Sequence, residues 1–465
     1  MEIKAEKCRV VMLVYPLQGH INPMLQLANI LYSKGISIII AYPSDFNPLN
    51  PSNHPEFTYL PLKAADVCGL EITNVVDGVG GIIGFTAVLN KIYKEPFEKS
   101  VQELMENDNE NEGKRGKIRC IIYDVFMYFA QSVADQFKIP GISLRTSCAA
   151  TILGITATHN PGCNLPVHVP IECLLQVPEL QALELDNIAK HLKKTIPKLS
   201  YEIKAEITTA FNKSTAIIVN TVGFLEWAAI NKAQEYFKAS IYPIGPFHKY
   251  AENPTNSNSV LKEDTGCIAW LNQHPPRSVL YVSFGSLASM SEKDLLETAL
   301  GLAQSNQPFL WVVRPRMILG GRDWAEILPS DVIEKINEMG LVVGWAPQRQ
   351  VLGHSSIGGF WTHCGWNSTI EGICEGLPMI CRPFFGDQFW NVKYISKVWK
   401  IGMELEGEIE RENVERIVRE VMVGEEGGEM RKRALELKDE VELCYKEGGT
   451  TYTYINQLVD LITSF

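Results

Sequence analysis

The feature that most constrains the fold of this chain is a repeated alternation between short apolar runs and amphipathic helical stretches. The run from Arg9 to Tyr15 is almost entirely apolar and β-rich, as in a parallel strand covered on both faces. The apolar residues of segment 24–31 then fall on one helical face, and Gly35 ends that helix. Further strands are predicted at 36–41 and 118–123. Strands that alternate with helices indicate an α/β fold with a doubly wound parallel sheet.

The alternation restarts in the second half of the chain, with strands predicted at 278–284, 309–313 and 340–343. A stretch rich in Pro, Asn and Ser at 242–259 separates the halves and is typical of an interdomain linker. The 465 residues are too many for one ordinary domain and fit two of about 200 residues. The expected domains are residues 1–245 and 246–440, followed by a C-terminal helix at 441–465.

Three segments show no clear periodicity. Residues 64–117 and 147–200 are interpreted as irregular, and the glycine-rich stretch 424–428 as a loop before a closing helical region. Binding residues commonly lie on loops that a rigid sheet positions. The irregular segments of the first half are therefore the expected source of a specificity pocket.

Composition argues against several kinds of partner and location. The net charge of −11 argues against nucleic acid, because a phosphate backbone demands a basic protein face. The 11 cysteines form no Cys-x-x-Cys pair and no zinc-ligand spacing with histidine, which favours small buried side chains in a reducing compartment. With no signal-peptide pattern and no apolar stretch of about 18 residues, we expect a cytoplasmic protein without a membrane segment. Nothing in the sequence indicates an oligomer, and we expect a monomer.

The segment Thr362–Thr369 has the pattern of a strand end, a tight glycine turn and the first turn of a helix. The first N–H groups of a helix are unpaired and its dipole favours negative charge, so this geometry forms an anion site. Asn367 and Ser368 are residue types that favour a helix start, and His363 stands just before it. An aromatic ring, a carboxylate and an acidic-amide pair surround the segment: Trp345, Glu371, Asp387 and Gln388. Such a set suits a nucleotide base, a ribose and a sugar.

A second constellation lies in the first half. His20 follows the first predicted strand and Asp124 follows strand 118–123, and ligands of open α/β sheets bind beyond the carboxyl ends of the strands. A histidine with a carboxylate partner is a usual general base, because the acid fixes the tautomer and stabilises the imidazolium. Asn22 is predicted as the helix N-cap and Pro23 as the first helical residue. From these residues alone, a role for His20 in merely capping the helix stays open.

The 44 residues from Trp345 to Gln388 resemble, nearly letter for letter, the signature of the plant family 1 UDP-sugar glycosyltransferases. The segment Pro16–Ala28 is similar to the subgroup that holds steviol-glycoside and benzoxazinoid glucosyltransferases. The resemblance implies a GT-B type fold, with two Rossmann-like doubly wound domains facing across a cleft and the last helix packing back on the first domain. It also implies that His20 is the catalytic base and that Asp124 supports it.

The resemblance assigns three groups of side chains to a UDP-sugar. The base and ribose are held by Trp345, Ala346, Gln348 and Glu371. The phosphates are held by Ser286, His363, Asn367 and Ser368. The sugar is faced by Trp366, Asp387 and Gln388. In the family resembled, Gln at the end of the block accompanies glucose, and an amide can donate and accept at once, so that Gln388 can bridge adjacent hydroxyls.

We therefore expect an inverting, UDP-glucose-dependent glucosyltransferase that forms a β-glucoside on a hydroxyl or carboxyl of a small lipophilic plant metabolite, such as a terpenoid, flavonoid or other phenolic. UDP-glucose is a co-substrate, and no cofactor is expected. No Asp-x-Asp element is present to bridge a metal, so the helix terminus and His363 are expected to neutralise the leaving group. In the acceptor pocket, His159 is a weak candidate contact, because a loop histidine is more often incidental.

Two other functions stay open at this point. A non-catalytic UDP-sugar-binding protein would share the second-half residues, but the presence of both His20 and Asp124 argues against it. A nucleotide-dependent oxidoreductase would carry Gly-x-Gly-x-x-Gly after a strand, and the chain has no such motif in that context.

Overall fold

The computed structural model describes residues 8–46, 49–64, 81–110, 116–157, 167, 169–184, 198–250 and 261–465. The chain divides into two compact units. The first consists of Met1–Leu180, Leu185–Asn258 and Cys444–Phe465, and the second of Gln181–Glu184 and Ser259–Leu443. Each unit is built on one parallel sheet. No helix among the described residues is long and apolar enough to cross a membrane.

In the first unit, the described strands lie in the order β3-β2-β1-β4-β5-β6-β7, and all neighbouring pairs are parallel. Their bounds are β1 Arg9–Leu13, β2 Ser37–Pro43, β3 Thr58–Leu62, β4 Ile118–Asp124, β5 Gly141–Arg145, β6 Ala216–Val219 and β7 Ser240–Pro243. The strand order reverses between β1 and β4, and open α/β sheets bind ligands at such a reversal.

The helices described before residue 251 are α1 Gln18–Ser33, α2 Gly81–Ile92, α3 Lys94–Glu110, α4 Phe129–Phe137, α5 Ala150–Ala157, α6 Ile171–Leu175, α7 Pro178–Ala182, α8 Lys198–Lys213, α9 Trp227–Tyr236 and α10 Phe247–Tyr250. Short 3₁₀ turns lie at Pro51–Asn53, Val125–Met127 and Gly223–Glu226.

In the second unit, the described strands lie in the order β10-β9-β8-β11-β12-β13, again all parallel. Their bounds are β8 Val279–Ser283, β9 Phe309–Val312, β10 Gly340–Val343, β11 Ile357–Thr362, β12 Met379–Cys381 and β13 Gly402–Glu404. The reversal of strand order falls between β8 and β11. Both units therefore have the same kind of ligand-binding edge.

The helices after residue 260 are α11 Gly266–Leu271, α12 Glu292–Gln304, α13 Trp324–Ile327, α14 Ser330–Met339, α15 Gln348–Leu352, α16 Trp366–Glu375, α17 Gln388–Lys393, α18 Arg411–Val423, α19 Glu425–Tyr445 and α20 Thr450–Ser464. A π-helical turn, Tyr394–Val398, continues α17.

The core of the first unit joins the two ends of the chain. Buried residues of β1 and α1 pack in one apolar cluster with Ile455, Leu458 and Ile462 of α20. The β1 strand is buried along its whole length, as expected for a central strand covered on both faces. Because α20 lies in this cluster, the first unit is completed by the last residues of the sequence.

The first helix begins earlier than predicted. It starts at Gln18, and the backbone N–H of His20 already donates to the Leu17 carbonyl at 2.8 Å. Asn22 is therefore not the N-cap, and its side chain instead accepts a hydrogen bond from Gln18 Nε2 at 2.7 Å. Pro23 lies inside the helix, where its missing N–H costs one backbone hydrogen bond. His20 is consequently held on the first helical turn, close to the end of β1.

Several segments predicted to be irregular are helical. Segment 64–117 contains α2 and α3, and segment 147–200 contains α5, α6, α7 and the start of α8. The interpretation of 424–428 as a loop was also wrong, because α19 begins at Glu425. A Cβ at Gly427 would collide with carbonyl oxygens at the end of α18, so this glycine permits close packing of two helices. Tertiary packing thus overrides the local signal in these segments.

The predicted linker at 242–259 is structured in its first part. Residues 242–243 belong to strand β7, and 247–250 form helix α10 with Phe247 fully buried in the core of the first unit. Its residues 251–259 lie outside the described part of the chain. Pro and Asn therefore mark turns within the first unit here as well as a connection.

Candidate active site

His20 and Asp124 lie together at the reversal of strand order in the first unit. His20 is on the first turn of α1, after β1, and Asp124 is the last residue of the neighbouring strand β4. His20 Nδ1 is 2.7 Å from Asp124 Oδ2. The carboxylate is fully buried, whereas 17% of the His20 side chain is exposed. A ligand can therefore reach the histidine but not the carboxylate.

The Asp124 carboxylate is fixed from its other side. Its Oδ1 accepts a hydrogen bond from the backbone N–H of Phe126 at 2.9 Å and so caps the 3₁₀ turn Val125–Met127. With Oδ2 facing His20 Nδ1, the proton of neutral His20 is favoured on Nδ1. The Nε2 lone pair is then available to accept a proton from a bound group.

A third polar group at this site was not predicted from the sequence. Thr146 Oγ1 lies 2.9 Å from His20 Nδ1. Thr146 directly follows β5, the strand beside β4, so its position at a carboxyl strand end was the available signal. Three neighbouring strand ends thus contribute to one histidine.

Aromatic rings flank the His20 imidazole. The Tyr15 ring centroid is 4.9 Å from that of His20, and the Phe126 centroid is 5.2 Å away. Burial raises the pKa of Tyr15, the negative charge of Asp124 adds to this, and a hydrogen bond with Thr86 opposes it. Tyr15 therefore stays neutral and is not a base. The two rings pack against the imidazole and help to hold its orientation.

The predicted anion geometry is present in the second unit. Strand β11 ends at Thr362, a turn follows, and α16 begins at Trp366 with Gly365 as N-cap. Cys364 in this turn has φ of 62°, in the left-handed region. Gly365 has no side chain that could cap α16. The first N–H groups of α16 therefore face the strand ends without a side-chain cap.

His363 packs against two glycines from the strand reversal. A Cβ on either Gly285, after β8, or Gly365 would lie against the His363 ring. Burial lowers the pKa of His363 to about 4, the Arg314 charge lowers it further, and a hydrogen bond with the Ser283 backbone opposes both. His363 is thus neutral at neutral pH. Its expected part in neutralising the leaving group stays a prediction, and in the neutral form its ring can donate or accept a hydrogen bond.

The loop that carries Ser286 is held by an arginine. Arg314, just after β9, donates from Nε to the Gly285 carbonyl at 3.3 Å and from Nη2 to the Ala288 carbonyl. Ser286 lies half-buried between these two residues, directly beside the His363 turn. The loop that carries Ser286 thus lies next to the His363 ring through Gly285, and the supporting Arg314 was not foreseen.

A second cluster contains residues assigned to the base and ribose. Gln348 Nε2 donates to Ser368 Oγ at 2.9 Å and to Glu371 Oε2 at 2.7 Å. Just before α15, Trp345 is half-buried and Ala346 is buried, and both belong to the apolar cluster behind β8 and β11. Gln348 thereby orients the Glu371 carboxylate.

Two of the three residues assigned to the sugar, Trp366 and Gln388, are buried. Trp366 is only 3% exposed, and its ring centroid is 6.3 Å from that of Trp399. Gln388 Oε1 accepts hydrogen bonds from the backbone N–H groups of Phe384 at 2.7 Å and Phe385 at 3.1 Å. Both oxygen lone pairs are therefore used within the chain. The expected bridging of two hydroxyls by Gln388 as donor and acceptor is not available, and only its amide NH₂ can donate.

The remaining candidates are placed as follows. Asn367 is half-buried on the first turn of α16 beside Ser368, and Asp387 is the N-cap residue of α17. His159 lies outside the described residues. Among the described residues, no group of three or more His, Cys, Asp or Glu side chains is arranged to hold a metal ion. The His20 pair belongs to the first unit and the other placed candidates to the second.

Known proteins resemble the chain along nearly its whole length. Residues 82–435 match the family described as "UDP-glucoronosyl and UDP-glucosyl transferase". UDP-glycosyltransferase 76H1 from Stevia rebaudiana is 42% identical over 450 residues, which cover 95% of this chain and 100% of that protein. UDP-glycosyltransferase 76E1 from Solanum lycopersicum is 39% identical over 464 residues, or 98% of this chain and 93% of that protein.

Solved structures share the fold. Os79 from O. sativa in complex with UDP has a TM-score of 0.79 at 24% identity, covering 97% of this chain and 100% of that chain. Phytolacca americana UGT2, complexed with UDP-2fluoro-glucose and pterostilbene, has a TM-score of 0.74 at 25% identity, covering 98% and 99%.

Two parallel α/β units, each with polar side chains at its strand reversal, together with these similarities define a glycosyltransferase of the GT-B fold class. The chain belongs to the plant family 1 UDP-glycosyltransferases, enzymes that use a UDP-sugar as substrate. The predicted family, fold class and enzyme class are thereby confirmed.

Proposed function

We propose that the chain is an inverting, UDP-glucose-dependent glucosyltransferase that forms a β-glucoside on a hydroxyl or carboxyl of a small lipophilic plant metabolite, such as a terpenoid, flavonoid or other phenolic. In this proposal the first unit binds the acceptor and the second binds the UDP-sugar. The observation that carries it is the 2.7 Å hydrogen bond between His20 and the buried Asp124 carboxylate, because this pair presents Nε2 as a base.

The first step in the proposed mechanism is proton removal. His20 Nε2 takes the proton of the acceptor hydroxyl as the oxygen attacks the anomeric carbon of the sugar. Asp124 stabilises the imidazolium that forms, since its carboxylate already lies at hydrogen-bond distance from Nδ1. A positioned general base contributes about 10²- to 10⁴-fold to rate. Attack from the face opposite the phosphate converts an α-linked donor into a β-glycoside.

The leaving UDP is held by neutral donors. Its phosphates bind at the start of α16, where the N–H groups and the helix dipole favour negative charge. His363, Ser286, Asn367 and Ser368 add hydrogen bonds. The helix start carries most of the electrostatic stabilisation. The sequence has no Asp-x-Asp element, so we propose that turnover needs no added metal ion.

The donor class is proposed from the end of the signature block, and the acceptor class from solved neighbours. Asp387 and Gln388 end the signature block, and in this proposal Gln388 donates one hydrogen bond from its NH₂ group while Asp387 accepts from the sugar. The Phytolacca americana UGT2 structure holds UDP-2fluoro-glucose and pterostilbene. An Os79 structure at 25% identity is in complex with U2F and trichothecene. These neighbours support a small apolar acceptor.

An acceptor panel assayed with UDP-glucose, UDP-galactose, UDP-xylose and UDP-glucuronate tests the proposal. We expect turnover with UDP-glucose, a β-configured product by NMR, and no loss of rate in EDTA. Preference for another donor overturns the glucose assignment alone. If the protein binds UDP but produces no UDP from any UDP-sugar with any acceptor of the panel, a non-catalytic binding protein is supported instead. A hydride-transfer absorbance change with nicotinamide cofactor supports an oxidoreductase.

A further inference from the structure

A buried asparagine just beyond the signature block contacts two parts of the proposed donor site. Asn391 lies in α17 and is fully buried. Its Nδ2 donates to the backbone carbonyl of Cys364 at 2.8 Å and to Asp387 Oδ2 at 3.1 Å. Both amide hydrogens therefore have an acceptor. One acceptor belongs to the turn that precedes α16, and the other is the carboxylate assigned to the sugar.

The Cys364 turn needs such a partner. Cys364 is a non-glycine residue in the left-handed region, with φ of 62°, between a strand and a helix. Its N–H donates to Thr362 Oγ1 at 3.0 Å, and its carbonyl accepts from Asn391. Both backbone polar groups of this buried residue are thus satisfied by side chains, because neither the β11 ladder nor α16 reaches them. The direction in which α16 begins depends on this turn.

The orientation of the Asn391 amide is fixed by its surroundings. Reversing the amide would place Oδ1 against the Cys364 carbonyl and the Asp387 carboxylate, which are both acceptors. Oδ1 itself is buried and has no hydrogen-bond partner among the described residues. Burial of Oδ1 therefore costs desolvation free energy, while both hydrogens on Nδ2 keep their acceptors. That cost is understandable if the two contacts serve the site.

We infer that Asn391 is a positioning residue of the donor site, which couples the Asp387 carboxylate to the turn in front of α16. The inference rests on the proposed function, in which Asp387 accepts a hydrogen bond from the sugar. Asn391 touches neither substrate in this account. It holds Asp387 in the orientation that receives a sugar hydroxyl and holds the Cys364 turn in the orientation that aims the α16 N–H groups at phosphate.

A double-mutant cycle between Asn391→Ala and Asp387→Ala tests the coupling. The two readouts are kcat/KM for UDP-glucose and the Kd of free UDP by calorimetry. We expect Asn391→Ala to lower kcat/KM by about tenfold in the wild-type background and by only about threefold in the Asp387→Ala background. The Kd of UDP should rise by about threefold in both backgrounds, since the Cys364 contact does not involve Asp387.

Two further variants refine the cycle. Asn391→Ser retains one donor and should fall between wild type and Asn391→Ala; it replaces Asn391→Ala if that variant does not fold. The matched control is Ser396→Ala, whose hydroxyl donates only to the Val392 carbonyl and which should leave both readouts unchanged.

The outcomes separate the inference from the proposed function. If Asn391→Ala lowers kcat/KM for UDP-glucose by the same factor in both backgrounds, the inference is overturned and the donor assignment stands. If the Asp387→Ala enzyme has normal UDP-glucose kinetics, the proposed contact between Asp387 and the sugar is wrong. The coupling through Asn391 is then wrong as well. A loss that appears only as a lower melting temperature, with unchanged kcat/KM, also overturns the inference.

Discussion

His20 owes its orientation to side chains from two different strand ends. Asp124 from β4 and Thr146 from the residue after β5 both lie within hydrogen-bond distance of Nδ1. Because Nδ1 carries one proton, the carboxylate is the stronger acceptor and the hydroxyl a secondary one. The rings of Tyr15 and Phe126 keep the imidazole from turning away. Each of these contacts can be removed by a separate mutation.

Replacement of His20 by Ala should reduce turnover by about 10²- to 10⁴-fold, since the proposed base is lost. UDP affinity, measured by calorimetry, should stay within about twofold of wild type, because UDP is proposed to bind at α16. Asp124→Ala should cost less, and the two losses should be non-additive. The matched control is His54→Ala, which removes another histidine–carboxylate pair of the first unit, His54 Nδ1 to Glu56 Oε1 at 3.2 Å. A collapse of UDP binding in His20→Ala would make His20 structural.

Thr146→Val removes the hydroxyl but keeps the shape of the side chain. We expect kcat to fall by about three- to tenfold, as for loss of one hydrogen bond, with an unchanged KM for UDP-glucose. Thr146→Ser should restore most of the rate. Thr209→Val serves as the control, because the Thr209 hydroxyl donates to the Ala205 carbonyl within α8. If Thr146→Ser is as slow as Thr146→Val, the methyl group and not the hydroxyl is responsible.

Single residues also show what a sequence cannot predict. The signature block and the strand ends indicated His20, Asp124, Gln348 and Glu371 as candidates, because residue type and position carry that information, and their roles stay predictions. They did not identify the neutral state of His363, which depends on burial between Gly285 and Gly365. Nor did they identify that Gln388 Oε1 is occupied by backbone N–H groups of its own loop. Both properties arise from tertiary contacts.

At the scale of secondary-structure elements, the segment that joins β5 to α5 is held by a buried carboxylate. Glu226, at the end of a 3₁₀ turn, accepts hydrogen bonds from the backbone N–H groups of Ala149 at 2.9 Å and Ala150 at 3.2 Å. These groups lie at the start of α5, three and four residues after Thr146. Glu226 therefore acts as a remote helix cap and fixes the path of the segment that carries Thr146.

Ionisation of Glu226 should make the stability of the first unit depend on pH. Burial raises the pKa of Glu226 from 4.5 to about 7, although the backbone N–H groups oppose this. Because the folded state keeps the proton to higher pH than the unfolded state, this contribution to stability is complete below about pH 4.5 and is lost as the pH rises through about 7. The loss is on the order of 3 kcal/mol.

Denaturant unfolding of wild type and Glu226→Gln checks this. Between about pH 5 and about pH 8, the free energy of unfolding should fall more for wild type than for the variant. Glu235→Gln, at an exposed position on α9, is the control and should behave like wild type. Parallel pH profiles for all three proteins would show that Glu226 does not titrate in this range.

Strands were easier to predict than helices in this chain. The runs of β1, β4, β9 and β10 could be recognised because most of their residues are apolar, as is typical of strands in a parallel sheet. Helix α5 is buried on nearly all sides, from Ala150 to Thr156, and thus lacks an amphipathic period. The start of α1 was predicted too late in the chain. The Leu17 carbonyl accepts the His20 N–H, which an N-cap side chain would normally accept.

On the scale of the whole molecule, the sequence order and the spatial units differ. The first unit takes in Cys444–Phe465, and Leu458 of α20 is fully buried in its core. Leu458→Ala should destabilise that unit by about 2–5 kcal/mol, as for other buried leucines. UDP binding should survive under conditions where acceptor glucosylation is lost. The control Leu443→Ala removes an exposed side chain and should have no effect on either readout.

The return of α20 to the first unit also has a consequence for biosynthesis. Ribosomes make about 5–20 residues per second, and domains generally fold in order of synthesis. Here the 185 residues from Ser259 to Leu443 are translated before α20 emerges, which takes about 10–40 s. During that interval the nascent first unit exposes the apolar surface that Ile455, Leu458 and Ile462 later cover. The half of the enzyme that is made first is therefore the half that is finished last, and its uncovered apolar surface is open to non-native contacts for longer.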